Sequence, residues 1–113
     1  MTFQKLKERR TAERKNRKIR SERVKSLLLE QGLDVFKKFG IRKVIVFGSV
    51  ADGVCSEKSD IDVLVMPLKN RQYWDFRHEL EEAVDLPIDL YTDSDDPILV
   101  EKIISRGETI YEV

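Results

Sequence analysis

The sequence predicts an α+β fold, in which helices pack on a small mixed β-sheet. Three observations support this prediction: a chain of only 113 residues, short apolar runs rich in β-branched residues, and stretches between those runs with apolar residues at helical spacing. A chain of this length is typical of one domain with one hydrophobic core. A single Cys and a single His exclude an internal disulfide framework and a Cys/His zinc cluster.

Residues 1–23 are predicted to form a basic helical extension, and residues 24–113 the folded domain. Residues 1–25 carry 11 Lys or Arg against 3 Asp or Glu, a net charge of +8, whereas residues 26–113 carry 10 against 18, a net charge of −8. Between Lys5 and Arg23 the only apolar side chains are Leu6, Ala12 and Ile19. Because these are too few for a packed face, we expect a solvent-exposed helix.

Two interpretations of the basic extension remain open. It is either an arm that binds nucleic acid or an acidic partner, or a solvent-exposed extension that offsets the charge of the acidic body. The second interpretation is favoured, because no aromatic side chain lies among the basic residues to stack on bases.

The domain begins with a helix and a buried strand. Val24, Leu28, Val35 and Phe39 lie at helical spacing, with a kink or break expected at Gly32 and a stop at residue 40. Residues 44–47 form a continuous apolar run, which predicts a strand buried on both faces and ended by the residues Gly-Ser.

Four further elements follow in the second half of the chain. Residues 61–66 predict a second strand, stopped by Pro67, and Asn70 is a candidate N-cap for a helix that runs to about Val84. Residues 87–91 predict a third strand. The pair Asp96 and Pro97 predicts the start of a helix that ends at residue 107, and residues 109–111 predict a short last strand.

Three aspartates are the candidate metal-binding and catalytic residues. Asp60 and Asp62 alternate with apolar residues at the start of the second strand, so their carboxylates are expected on one face. Asp89 lies between two apolar residues of the third strand, where an unpaired acid is costly. If these strands are neighbours, the three carboxylates form one cluster of hard oxygen ligands, which suits Mg²⁺.

Gly48 and Ser49 are the candidate phosphate-binding residues of the same site. A glycine directly after a buried strand lets a phosphate approach the backbone, and the Ser hydroxyl and nearby amides can donate hydrogen bonds to that phosphate. Phosphates bound here and a metal ion at Asp60 and Asp62 would together hold a nucleoside triphosphate.

With these residues the chain resembles the minimal nucleotidyltransferases, or MNT family, of the DNA polymerase β-like superfamily. The resemblance covers residues 24–112 and rests on four segments: Phe47-Gly48-Ser49, Gly53, Ser59-Asp60-Ile61-Asp62 with the apolar residues after it, and Ile88-Asp89-Leu90. One position departs from the family pattern, because Asp52 stands where many relatives have Arg or Lys before the loop glycine.

The resemblance implies a polymerase β-like nucleotidyltransferase fold and a reaction. Asp60 and Asp62 would hold two Mg²⁺ ions, and Asp89 would hold the catalytic ion and help activate an acceptor hydroxyl. Gly48, Ser49 and Ser59 would be the nucleotide-binding residues. The reaction would transfer AMP from ATP to that hydroxyl and release pyrophosphate.

The resemblance also implies a partner. Family members of this size are commonly antitoxins encoded beside a HEPN-domain RNase toxin, so we expect a hetero-oligomer in the cytoplasm and no membrane attachment. Two alternatives remain open: a non-catalytic antitoxin that masks its partner by complex formation, and a nucleic-acid-binding module that uses the basic extension.

Overall fold

A computed structural model describes residues 3–56 and 58–113, with side chains from residue 8 onward. The elements follow the predicted order, and one 3-10 turn, Asn70–Gln72, precedes the second helix. The helices are α1 (Phe3–Lys38), α2 (Tyr73–Val84) and α3 (Pro97–Arg106), and the strands are β1 (Lys43–Phe47), β2 (Ile61–Met66), β3 (Ile88–Thr92) and β4 (Glu108–Glu112).

The four strands form one mixed sheet, as predicted. Their spatial order is β3-β2-β1-β4; β1 is antiparallel to both β2 and β4, whereas β2 and β3 are parallel. The β2–β3 connection is long enough for a crossover because it contains α2. This arrangement places β2 and β3 side by side, which is the condition under which Asp62 and Asp89 can meet.

The two faces of the sheet are covered differently. One face packs on α1 and α2 and forms the main core, whose members include Leu28, Phe36, Val46, Val63 and Phe76. The other face carries a small cluster in which Ile45 and Leu64 pack against Ile103 of α3. Because side chains alternate along a strand, Asp62 and Asp89 lie on this second face, where both are half-buried.

Helix α1 is continuous over 36 residues, so the alternative of a helix broken at Gly32 is wrong. Gly32 is buried, and a Cβ there would lie 3.0 Å from Leu80 Cδ1 of α2 and 3.0 Å from Phe36 Cζ. The glycine therefore provides close approach between two helices rather than a chain break. The helix also runs without interruption through residues 23 and 24, where the sequence placed the start of the domain.

The exposed part of α1 is its N-terminal half. Residues 8–19 are exposed to solvent, and burial begins with Ser21, Val24 and Leu28. The predicted solvent exposure is therefore confirmed for residues 8–19 and is wrong at Ser21, and the exposure of residues 1–7 lies outside what the structure describes. No helix in the described ranges is both long and apolar enough to cross a membrane.

The ends of the other helices partly follow the predictions. Helix α2 begins at Tyr73 and not at Asn70, because residues 70–72 form the 3-10 turn, whose N-cap makes no side-chain hydrogen bond. Asp96 caps α3 as predicted: its side chain accepts hydrogen bonds from the backbone N–H groups of Ile98 and Leu99, and Pro97 is the first helical residue.

Candidate active site

The parallel pairing of β2 and β3 brings two aspartates together. Asp62 and Asp89 are direct partners in the register of these strands, and both project from the same face. Besides burial, the negative charge of Asp89 acts on the Asp62 carboxyl group and raises its pKa. The expected convergence of these two carboxylates is thus present.

The electrostatics of this pair favour a bound cation. Burial, the negative charge and hydrogen bond of Asp89, and the charge of Asp60 together raise the pKa of Asp62 to about 6. Every charged group that acts on Asp62 in this way is another carboxylate. The pair therefore resists full ionisation by itself, and a divalent cation would relieve the repulsion.

Asp60 lies at the edge of this arrangement. It is exposed and precedes β2 by one residue, so no ladder hydrogen bond fixes it. Among the residues that the structure describes, no three His, Cys, Asp or Glu side chains form a group that could hold a metal ion. The structure thus joins Asp62 and Asp89 and leaves Asp60 nearby but outside their contact.

The turn after β1 contacts the Asp62 carboxylate. Phe47 is the register partner of Asp62, and Gly48 follows with a φ of 66°, a backbone conformation that favours glycine. A Cβ at Gly48 would overlap Asp62 Oδ2. Glycine is therefore favoured here for two reasons: the backbone has a left-handed conformation, and it lies in direct contact with a carboxylate.

The loop after Gly48 is closed by its own backbone. The N–H of Asp52 donates to Gly48 O at 3.0 Å, and the N–H of Val54 donates to Ser49 O at 2.9 Å. These bonds hold half-buried Ser49 at the start of a compact turn beside Asp62. The exposed side chain of Asp52 adds negative charge to the loop.

Ser59 has a structural partner of its own. Its hydroxyl accepts a hydrogen bond from the Ser56 N–H at 3.2 Å and pairs with Ser56 Oγ at 3.0 Å. The residue shapes the loop that leads into Asp60. Its predicted contact with a nucleotide would require this hydroxyl to take an additional partner or to change partners.

Tyr91 belongs to the site, although the sequence interpretation did not single it out. Its hydroxyl donates to Asp89 Oδ2 at 3.3 Å, and its ring packs edge-on against Phe47, with the ring centroids 5.2 Å apart. Burial and the neighbouring Asp89 charge raise the pKa of Tyr91, so the phenol keeps its proton. The available sequence signal was its position two residues after Asp89, on the same strand face.

Together these groups offer two chemical functions. Two adjacent carboxylates provide oxygen ligands for a hard divalent cation, which commonly uses one or two carboxylates and completes its shell with water and substrate phosphates. A glycine turn next to them offers a backbone surface that a phosphate can approach. Such a pairing suits the binding of a metal–phosphate complex.

Comparison with known proteins agrees with this chemistry. Residues 30–113 match the family described as Polymerase beta, Nucleotidyltransferase. A protein of Methanocaldococcus jannaschii is 31% identical to this chain over 79 residues, which cover 66% of this chain and 85% of the relative. That relative is named as a candidate protein adenylyltransferase.

Solved structures share the fold at lower sequence identity. A toxin–antitoxin crystal structure with AMP-PNP aligns with a TM-score of 0.63 and 22% identity over 74% of this chain and 73% of that chain. A complex of a tri-AMPylated HEPN toxin with an MNT antitoxin, from Shewanella oneidensis, aligns with a TM-score of 0.58 and 20% identity over 79% and 73% of the two chains. The match over residues 30–113 means that this chain belongs to the polymerase beta nucleotidyltransferase family, and it is a nucleotidyltransferase.

Proposed function

We propose that this nucleotidyltransferase transfers AMP from ATP to a hydroxyl group of a partner protein, and that it is the antitoxin of a HEPN-type toxin in the cytoplasm. The observation that carries the proposal is the contact of three elements at one point: Asp62 of β2, its register partner Asp89 of β3, and the Gly48 turn. The division into a basic extension, residues 1–23, and a catalytic domain, residues 24–113, is part of the proposal.

The donor set fits Mg²⁺. Asp62 and Asp89 supply adjacent carboxylate oxygens, and burial together with their mutual repulsion raises the pKa of Asp62. Asp60, which acts on Asp62 through its charge, is the third proposed ligand. Bound Mg²⁺ would neutralise charge on the triphosphate and polarise the reacting oxygens, as in other two-metal sites.

The chain's own residues would position the reactants. The backbone at Gly48 and the hydroxyl of Ser49 would bind the β- and γ-phosphates, with Ser59 as a further proposed contact. The Asp89 carboxylate would accept the proton of the acceptor hydroxyl as its oxygen bonds to the α-phosphorus. The bond from that phosphorus to the β-phosphate oxygen breaks, and pyrophosphate leaves. The Tyr91 hydroxyl, which donates to Asp89 Oδ2, would orient this carboxylate.

The choice of AMP and of a protein acceptor is supported by the relatives. The M. jannaschii relative carries the name of a protein adenylyltransferase, and the fold neighbours include an MNT antitoxin complex with a tri-AMPylated HEPN toxin. The described residues form a single sheet with its packed helices, and no second domain to bind an acceptor is present among them. A partner protein that brings its own acceptor hydroxyl fits this arrangement.

The proposal is tested with the product of the neighbouring gene, which we expect to be a HEPN protein, and with ATP labelled at the α-phosphate. The wild-type chain with Mg²⁺ should transfer label to the partner, and Asp62→Asn should reduce the rate by at least a hundredfold, because it removes a metal ligand. Asp34→Asn is the matched control, since Asp34 is exposed on α1. Retained transfer by a folded Asp62→Asn chain would contradict the mechanism. Neutralisation of the partner without any transfer would indicate masking by complex formation.

A further inference from the structure

A basic groove lies between α1 and the loop that precedes β2. It has a volume of about 470 Å³, and its lining includes Arg17, Arg20 and Arg23 of the helix and Ser56 of the loop. Ser21 holds the loop in place: its hydroxyl accepts a hydrogen bond from the Cys55 N–H at 3.0 Å. The groove is therefore built into the fold and does not depend on a flexible contact.

The three arginines form a stripe along the helix. They follow one another at intervals of three residues, which places them along one side of α1. Within the described ranges, none of them forms an ion pair. Among the described lining residues the one acid is Glu13, whose charge is partly offset by Arg9 at 3.8 Å.

One atom of the groove is buried without a partner. Arg20 Nε is inaccessible to solvent and makes no hydrogen bond with any residue that the structure describes. A buried donor without an acceptor costs free energy, and native structures rarely keep one without a reason. Because this atom is closed to solvent, an anion would supply the missing acceptor once the Arg20 side chain turns toward the groove.

We infer that this groove binds the phosphodiester backbone of a nucleic acid strand. Guanidinium groups match phosphate oxygens in a two-pronged geometry. The basic surface also continues beyond the groove, along the exposed residues 8–19, which span about 18 Å of helix. That continuation holds five more cations, at Arg9, Arg10, Arg14, Lys15 and Lys18. These cations are distributed around the helix, and an extended basic surface of this length suits a strand with regularly spaced charges better than a single phosphate.

The test measures binding of a fluorescein-labelled single-stranded RNA of 20 nucleotides to the full chain by fluorescence anisotropy. Three phosphate contacts predict that the logarithm of the affinity falls with the logarithm of the salt concentration with a slope of roughly −2. Arg20→Gln should lower the affinity by roughly tenfold, because a charge-assisted hydrogen bond is lost. It should also reduce the slope by about 0.7.

Two controls separate the groove from general charge effects. Lys37→Gln removes an exposed cation near the other end of α1 and should leave the affinity unchanged. The same RNA with neutral methylphosphonate linkages should not bind the wild-type chain, a result that does not depend on how any variant folds.

Three results would overturn the inference. They are no saturable binding at low salt, an equal effect of Arg20→Gln and Lys37→Gln, and displacement of the RNA by a polyglutamate peptide at equal charge concentration. The last result would indicate an acidic protein as the ligand.

Discussion

At the scale of single residues, the site depends on one crowded carboxylate. Asp62 has Asp89 beside it across the β2–β3 pair, and Gly48 against its Oδ2. Burial and the neighbouring charges of Asp89 and Asp60 raise the pKa of Asp62 to about 6, and the Asp62 carboxylate leaves no room for a side chain at Gly48. The same arrangement that makes the carboxylates a good cation site therefore makes them destabilising when no cation is bound.

Asp62→Asn should consequently stabilise the metal-free chain above pH 6. A carboxyl group whose pKa is raised by folding contributes stability below its unfolded pKa, about 3.9, and loses that contribution as the pH rises through about 6. The melting temperature of Asp62→Asn should exceed that of the wild type at pH 7.5 in EDTA, and the difference should shrink at pH 4.5. Thermal unfolding followed by circular dichroism measures both values.

Thermal unfolding in the presence of Mg²⁺ gives a second test of the electrostatic account. Ligand binding to the native state raises its stability, so Mg²⁺ should raise the melting temperature of the wild type and leave that of Asp62→Asn unchanged. Asp34→Asn, on the exposed side of α1, should behave as the wild type throughout. A lower melting temperature for Asp62→Asn than for the wild type at pH 7.5 in EDTA would contradict the electrostatic account.

At the scale of elements, the loop between β1 and β2 is held against helix α1. Ser21 makes this connection: its hydroxyl donates to Arg17 O at 2.9 Å and accepts from the Cys55 N–H at 3.0 Å. Ser21 is fully buried and Cys55 nearly so. The loop carries the Gly48 turn at one end and Asp60 at the other, so α1 supports both halves of the site.

Ser21→Ala should therefore destabilise the chain by about 1–3 kcal/mol, because the buried Cys55 N–H loses its acceptor. Urea unfolding gives this free energy. Ser26→Ala is the matched control, since Ser26 is exposed on the same helix and the change in helix propensity is equal. Equal free energies of unfolding for the two variants would show that the Ser21 connection contributes nothing.

At the scale of the whole molecule, the features that could be predicted from the sequence are those that depend on residues close together along the chain. Apolar runs with β-branched residues predicted the strands around Val46, Val63 and Leu90, and the Asp96 cap predicted the start of α3. The sequence could not predict that Gly32 lies at the contact between α1 and α2, because that role depends on Leu80, 48 positions away. The position of Asp60 outside the Asp62–Asp89 contact likewise depends on where the β2 ladder begins.

The separation of charge along the molecule gives the last prediction. Residues 1–16 carry 6 Lys or Arg and 2 Asp or Glu, so their removal changes the net charge from 0 to −4. The chain without these residues should still fold, because residues 8–16 are exposed, the buried contacts of α1 begin at Ser21, and Arg17, whose carbonyl accepts from Ser21, is kept. Its melting temperature should stay within about 4 °C of the full chain, which corresponds to less than about 1 kcal/mol.

Two measurements check this expectation. Circular dichroism should show the cooperative transition of the full chain, and anion exchange at pH 7 should retain the shortened chain more strongly. A loss of the cooperative transition would mean that the basic extension is part of the folding unit. A retained fold would show that the catalytic domain is stable without most of the extension, so that the basic residues can be assigned to binding rather than to the stability of the fold.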